Sequence, residues 1–166
     1  MNRELLLLEC DNNKLTKLDL NYNTKLLNLE CEANNLAELD LTNNTDLIYV
    51  KCYTQTLDNI TVSKDENSYK VDVSNYVSNI ERVAYIMAYN ESEDFISRSS
   101  FDYTSGVLSV ASAPKSIRYD YNVGYVNDNT LSMDVTARVE EDFDDEYDNL
   151  SSNCVSCNSG VSIFTL

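Results

Sequence analysis

The residues of this sequence best equipped for chemistry are thiols and carboxylates. Five cysteines stand at positions 10, 31, 52, 154 and 157, among 28 acids and no histidine. A thiol can act as nucleophile, metal ligand or disulfide half, and each role needs a particular neighbourhood. Without imidazole, the commonest general base and metal ligand is missing. Cys154-Val-Ser-Cys157 is a single CxxC. It supplies at most two zinc ligands, and no second pair or histidine completes four. Its Ser, Asn and Gly neighbours read as a loop or tail. An incidental or disulfide-bonded tail pair is therefore favoured over a redox or metal role.

Carboxylates offer other options. The run Asp142-Phe-Asp144-Asp145-Glu146-Tyr-Asp148 invites calcium. It lacks the glycine at loop position six and the glutamate at twelve that an EF-hand requires, so it reads as a solvated linker. Paired acids for glycoside hydrolysis arise by chance among 28 carboxylates, and nothing marks one pair. No catalytic residue, metal or cofactor is expected.

The first three cysteines obey a different logic. Residues 5–25, LLLLECDNNKLTKLDLNYNTK, align with 26–46, LLNLECEANNLAELDLTNNTD, on a 21-residue period. A degrading third copy, LIYVKCYTQTLDNITVSKDEN, covers 47–67. The columns are Leu5/Leu26/Leu47, Leu8/Leu29/Val50, Cys10/Cys31/Cys52, Asn13/Asn34/Gln55, Leu15/Leu36/Leu57, Leu18/Leu39/Ile60 and Leu20/Leu41/Val62. This period and the pattern LxxLxCxxNxL lie in the leucine-rich-repeat range. Leu8 and Cys10 should alternate inward along a short strand. Asn13 and Asn34 should satisfy backbone groups that a turn leaves bare, with Asn23 and Asn44 repeating the role in a second strand built on the LDL half. Cys10, Cys31 and Cys52 read as small buried apolar side chains, since equivalent positions of parallel coils lie side by side and do not converge into disulfides.

Residues 5–62 resemble the cysteine-ladder leucine-rich repeats of internalin-like bacterial surface proteins. The resemblance implies that Cys10, Cys31 and Cys52 stack as unpaired thiols, and that the protein is extracellular or on a cell surface. The third copy departs from the pattern at Gln55 and at Ile60-Thr61-Val62, which reads as the end of the array.

From Ser68 onward the period gives way to β alternation. Candidate strands are Tyr69–Val73, Arg82–Tyr89, Ser99–Tyr103, Val107–Ala111, Ser116–Tyr125 and Leu131–Val139, with a hairpin loop at Thr104-Ser105-Gly106. The expected fold class is mainly β: a solenoid of 21-residue coils with parallel strands, then a small antiparallel immunoglobulin-like sandwich and an acidic tail. The expected domains are 1–67, 68–139 and 140–166. YKVDV, TSGVLSV, SIRYDYNVGY and SMDVTARV also resemble the β module that follows the repeats in such surface proteins. Because a repeat opens directly after Met1 without a polar cap, the chain is expected to be the end of a longer array or a truncated reading frame.

Net charge is −16, and residues 140–148 alone carry seven acids and no base. Such a surface repels phosphate backbones and anionic lipid, which argues against nucleic acid and membrane surfaces. No apolar run approaches the roughly 18–20 residues of a membrane span, and Leu5–Leu8 is too short for a secretory signal. The informative surface is the outward strand face: Leu7, Glu9 and Asp11, then Asn28, Glu30 and Glu32, then Tyr49, Lys51 and Tyr53. A protein or glycan ligand is expected there, with Tyr49, Lys51 and Tyr53 as principal contacts. Oligomeric state is open. The competing expectations are a spacer that projects another domain, or a piece of a larger enzyme-bearing surface protein.

Overall fold

A computed structural model describes residues 2–126 and 129–141. The acidic run beyond Glu141 and the Cys154–Cys157 pair lie outside the described residues. In the repeats, three short strands, β1 (Leu7–Glu9), β2 (Asn28–Glu30) and β3 (Tyr49–Lys51), form a three-stranded parallel sheet. Leu7 pairs with Asn28 and Asn28 with Tyr49, so each strand sits beside its counterpart in the next copy. Two residues after each cysteine the chain turns through a left-handed residue, Asn12, Ala33 or Thr54.

The remaining strands are β4 (Gln55–Asp65), β5 (Ser68–Asp72), β6 (Val83–Tyr89), β7 (Phe95–Ile96), β8 (Arg98–Asp102), β9 (Val107–Val110), β10 (Ser116–Val126) and β11 (Asn129–Glu141). They form an eight-stranded sheet in the order β7-β6-β10-β11-β4-β5-β9-β8. Strands β6 and β8 touch although they are not neighbours in that order, so the sheet curls.

This architecture corrects the expected leucine-rich-repeat solenoid capped by a separate antiparallel immunoglobulin-like sandwich. The repeats supply only three-residue strands, and the LDL halves, Leu18–Leu20 and Leu39–Leu41, form none. The third copy does not close a coil. Its second half becomes the 11-residue β4, which pairs parallel with β11 through Val135↔Gln55 and Val139↔Ile60 and antiparallel with β5. The physical cause is the substitution of Ile60-Thr61-Val62 for LDL. β-Branched residues favour an extended strand, and β11 presents an alternating apolar row for it to join.

The core is one cluster shared by both sheets. Ile117, Tyr119, Tyr121 and Val123 of β10 and Met133, Val135, Ala137 and Val139 of β11 are buried, while intervening residues face outward. The buried side of β10 lies on the second repeat. Leu41 N–H donates to the Val123 carbonyl at 2.8 Å and Tyr119 Oη donates to the Ala37 carbonyl at 2.9 Å. Gly124, at φ +131°, follows a bulge, and a Cβ there would stand 3.4 Å from Thr42 N. The backbone of β10 thus comes close to the repeat at a residue without a side chain.

Candidate functional site

The predicted face exists as three rows. Leu7, Asn28 and Tyr49 stand side by side, as do Glu9, Glu30 and Lys51. Asp11, Glu32 and Tyr53 continue just past the strands, where Asn12 N–H donates to the Glu32 carbonyl and Ala33 N–H to the Tyr53 carbonyl. Lys51 is engaged within the sheet: its Nζ lies 2.9 Å from Glu30, 3.8 Å from Glu32 and 5.4 Å from the Tyr49 ring centre. The Tyr49 contact first, then the Glu30 hydrogen bond, push its pKa up, so it stays a cation. Tyr49 and Tyr53 are exposed.

Alongside these rows runs a feature the sequence reading did not single out. Leu6, Leu27 and Ile48 are 53%, 36% and 62% exposed. Leu27 N–H donates to the Leu6 carbonyl and Ile48 N–H to the Leu27 carbonyl, so the three are stacked neighbours. Leu7 and Tyr49 extend this apolar stripe onto the strands. The signal is present in the sequence as one column of the 21-residue alignment that is apolar in all three copies although it lies outside the inward columns.

Beneath the face lie the cysteines. Cys31 and Cys52 are buried, Cys10 is half-buried, and all three are free. Burial first, then the adjoining Cys52 and Cys10, push the Cys31 thiol pKa up; burial, then Asp134 and Glu32, push Cys52 up to about 12. Such thiols stay protonated and are poor nucleophiles. Asn34 Nδ2 donates to the carbonyls of Cys10, Cys31 and Glu32, and its Oδ1 accepts from Leu15 N–H. Asn44 Nδ2 donates to the Leu20 and Asn23 carbonyls, and Asn23 Nδ2 to that of Asn2. Asn13 reaches only its own turn, donating to the Cys10 and Asp11 carbonyls.

On the other side of the repeats a cleft of about 570 Å³ opens against the eight-stranded sheet. Its walls are residues 16–21 of the first repeat, 37–40 of the second, Tyr121, and a segment carrying two 3₁₀ turns, Val73–Asn75 and Ile80–Arg82. Glu38 Oε2 accepts from Ser78 N–H at 2.6 Å and Ser78 Oγ at 2.7 Å, and Arg82 pairs with Asp40 at 3.1 Å. Burial opposes ionisation of Asp40, but hydrogen bonds from Thr42 and Arg82 outweigh it and hold the carboxyl below its ordinary value. Burial, then Glu38, pushes Tyr121 up to about 12, so its hydroxyl stays neutral. The cleft could not be read from the sequence, because its walls come from segments up to about a hundred residues apart.

Among the described residues there is no catalytic motif, and no group of three or more His, Cys, Asp or Glu that could hold a metal ion. No helix among them is long and apolar enough to cross a membrane. No family model matches the chain, and no curated protein does. Among solved structures, the chain is similar to the functional domain of InlJ from Listeria monocytogenes, which includes a cysteine ladder. That likeness has 19% identity over 84% of this chain and 35% of that one, with a TM-score of 0.43. It is also similar to the CBM51-2 and INT domains of Clostridium perfringens ZmpB, at 13% identity over 82% of this chain and 30% of that one, with a TM-score of 0.47. Listeria monocytogenes InlP matches at 15% identity over 82% of this chain and 53% of its own, with a TM-score of 0.26. The chain spans about a third of the length of the first two. The internalin resemblance is thus met as a weak, partial structural likeness, and no family membership follows from it.

Proposed function

We propose that the chain is a non-enzymatic binding module whose parallel-sheet face docks a protein segment bearing apolar side chains flanked by basic ones. The observation that carries this reading is the exposed stripe of Leu6, Leu27 and Ile48, continued by Leu7 and Tyr49. Water-facing apolar side chains stacked in a row gain free energy when a partner covers them. Glu9, Asp11, Glu30 and Glu32 border the stripe, and only Lys51 offsets them, so the rim favours a basic partner. In this reading the repeats (1–67) display the face, residues 68–139 hold it rigid from behind, and Cys10, Cys31 and Cys52 form a stack of unpaired thiols. A surface or secreted setting rests on the likeness of the repeats to internalin-like proteins.

The test is fluorescence anisotropy with a synthetic leucine–lysine peptide, its leucine-to-serine counterpart and a leucine–glutamate peptide. The leucine–lysine peptide should bind best. Leu27→Ser with Ile48→Ser should weaken it about tenfold, equivalent to about 1.4 kcal/mol, with an unchanged thermal midpoint. Equal binding by the double variant, or by the serine peptide, overturns the proposal.

A further inference from the structure

We propose that the cleft between the repeats and the eight-stranded sheet is a second binding site, for a small uncharged saccharide, independent of the sheet face. The cleft's polar groups are only half used. Asp19 Oδ1 accepts from Asn21 N–H, Asp40 Oδ1 from Thr42 and Arg82, and Glu38 Oε2 from Ser78 and the Tyr121 hydroxyl. In each case the first oxygen fixes the carboxylate, and the second carries no hydrogen bond from a described residue. Lys17 Nζ and the Asn79 amide nitrogen likewise donate to none of the described residues, although Asn79 Oδ1 is anchored by Glu81 N–H.

Oriented acceptors and available donors thus line the same cleft. Sugar hydroxyls donate and accept at once and satisfy such a mixture, while the C–H face of a pyranose can lie against the half-buried Tyr76. Ligand pockets typically enclose roughly 300–1,000 Å³, and this cleft, at about 570 Å³, has room for one or two sugar rings. Charge disfavours anionic competitors. Three carboxylates face Lys17 and an Arg82 already committed to Asp40, so phosphate and carboxylate ligands are repelled. The described acids also do not converge tightly enough to hold a metal ion. Because the acids are already oriented, little ordering entropy opposes binding.

The experiment is a nitrogen-15 chemical-shift titration of the full chain. Glucose, galactose, mannose and N-acetylglucosamine would be added separately to about 50 mM, a range that captures millimolar dissociation constants. Glucuronate and putrescine serve as charged controls. At least one neutral sugar should give saturable shifts at Lys17, Asp19, Ser78 and Asn79. Lys17→Ala and Asp19→Asn should each weaken it about tenfold without moving the thermal midpoint. The proposal is overturned by the absence of saturable shifts with every neutral sugar, by shifts centred elsewhere, by undiminished binding in both variants, or by preferred binding of either charged control. None of these outcomes touches the sheet-face reading, which the peptide assay tests separately.

Discussion

At position 55 a glutamine stands where the earlier copies carry asparagine, and its amide does the same work. Gln55 Nε2 donates to the carbonyls of Cys31, Cys52 and Tyr53, and its Oε1 accepts from Leu36 N–H. These are the equivalents, one copy later, of the bonds Asn34 makes. What looked in the sequence like the loss of a repeat signature is a longer side chain reaching the same buried backbone groups. A comparable replacement occurs at Thr54. Asn12 and Ala33 N–H each donate to a carbonyl of the following copy, whereas Thr54 N–H, with no further copy beside it, donates to the Asp134 carboxylate at 3.1 Å. Gln55→Ala strips partners from Leu36 N–H and the Cys31 carbonyl in the core. It should destabilise the fold by about 2–4 kcal/mol, read as a lowered urea midpoint with unchanged slope. A loss below about 0.5 kcal/mol would show that water takes over the role.

Among the elements, the β8–β9 hairpin shows how a turn can brace a distant wall. Gly106 sits at φ +78° and its N–H donates to the Asp102 carbonyl at 2.7 Å. A Cβ at this position would meet Ile80 Cγ1 at 2.7 Å and Ser74 N at 3.1 Å. Ile80 and Ser74 belong to the two 3₁₀ turns that flank Tyr76, Ser78 and Asn79 of the cleft wall, so the hairpin tip is wedged against the segment that carries them. Gly106→Ala combines an unfavourable left-handed conformation with this contact and should cost about 1–3 kcal/mol in chemical denaturation. Thr104→Ala, in the same loop, serves as the control for hairpin disruption. The hairpin itself was legible from Thr104-Ser105-Gly106 between alternating runs, and its two strands and the other four expected strands lie within a few residues of their predicted bounds. The two-residue β7 and the parallel partnership of β4 were not legible. A strand that short has no period to read, and parallel pairing is decided by a partner about 80 residues away.

For the whole molecule, charge makes stability depend on pH in two opposed ways. Burial and the facing Asp134 raise the Asp120 pKa above its ordinary 3.8, so ionised Asp120 strains the fold. As pH falls through that raised value the folded state takes up a proton before the unfolded one, and stability rises. Relief of the −16 net charge acts in the same direction. Asp40, Asp65 and Asp102 behave oppositely, their hydrogen bonds holding them below 3.8. Their contribution is present above the unfolded value and is lost as pH falls through the folded ones. Urea midpoints measured against pH should therefore peak just above the ordinary carboxylate range and fall on its acid side. Asp120→Asn should raise the midpoint at pH 7 and flatten the descent from the peak toward neutrality. A midpoint that climbs steadily from acid to neutral pH would contradict this balance.

By itself the sequence determined the 21-residue spacing, the inward columns of leucine and cysteine, the outward rows of the short strands and the alternation of β10 and β11. Each depends on a local periodicity that backbone geometry converts directly into a face. Only the tertiary structure decided that the third copy would abandon its coil for an eight-stranded sheet, that Asp134 would serve the turn at Thr54, and that two repeats, Tyr121 and the segment from Tyr76 to Arg82 would line a cleft. Those outcomes depend on which buried groups find partners across long stretches of chain. Burial and hydrogen-bond satisfaction set that pairing, and neither is written in the spacing of any one segment.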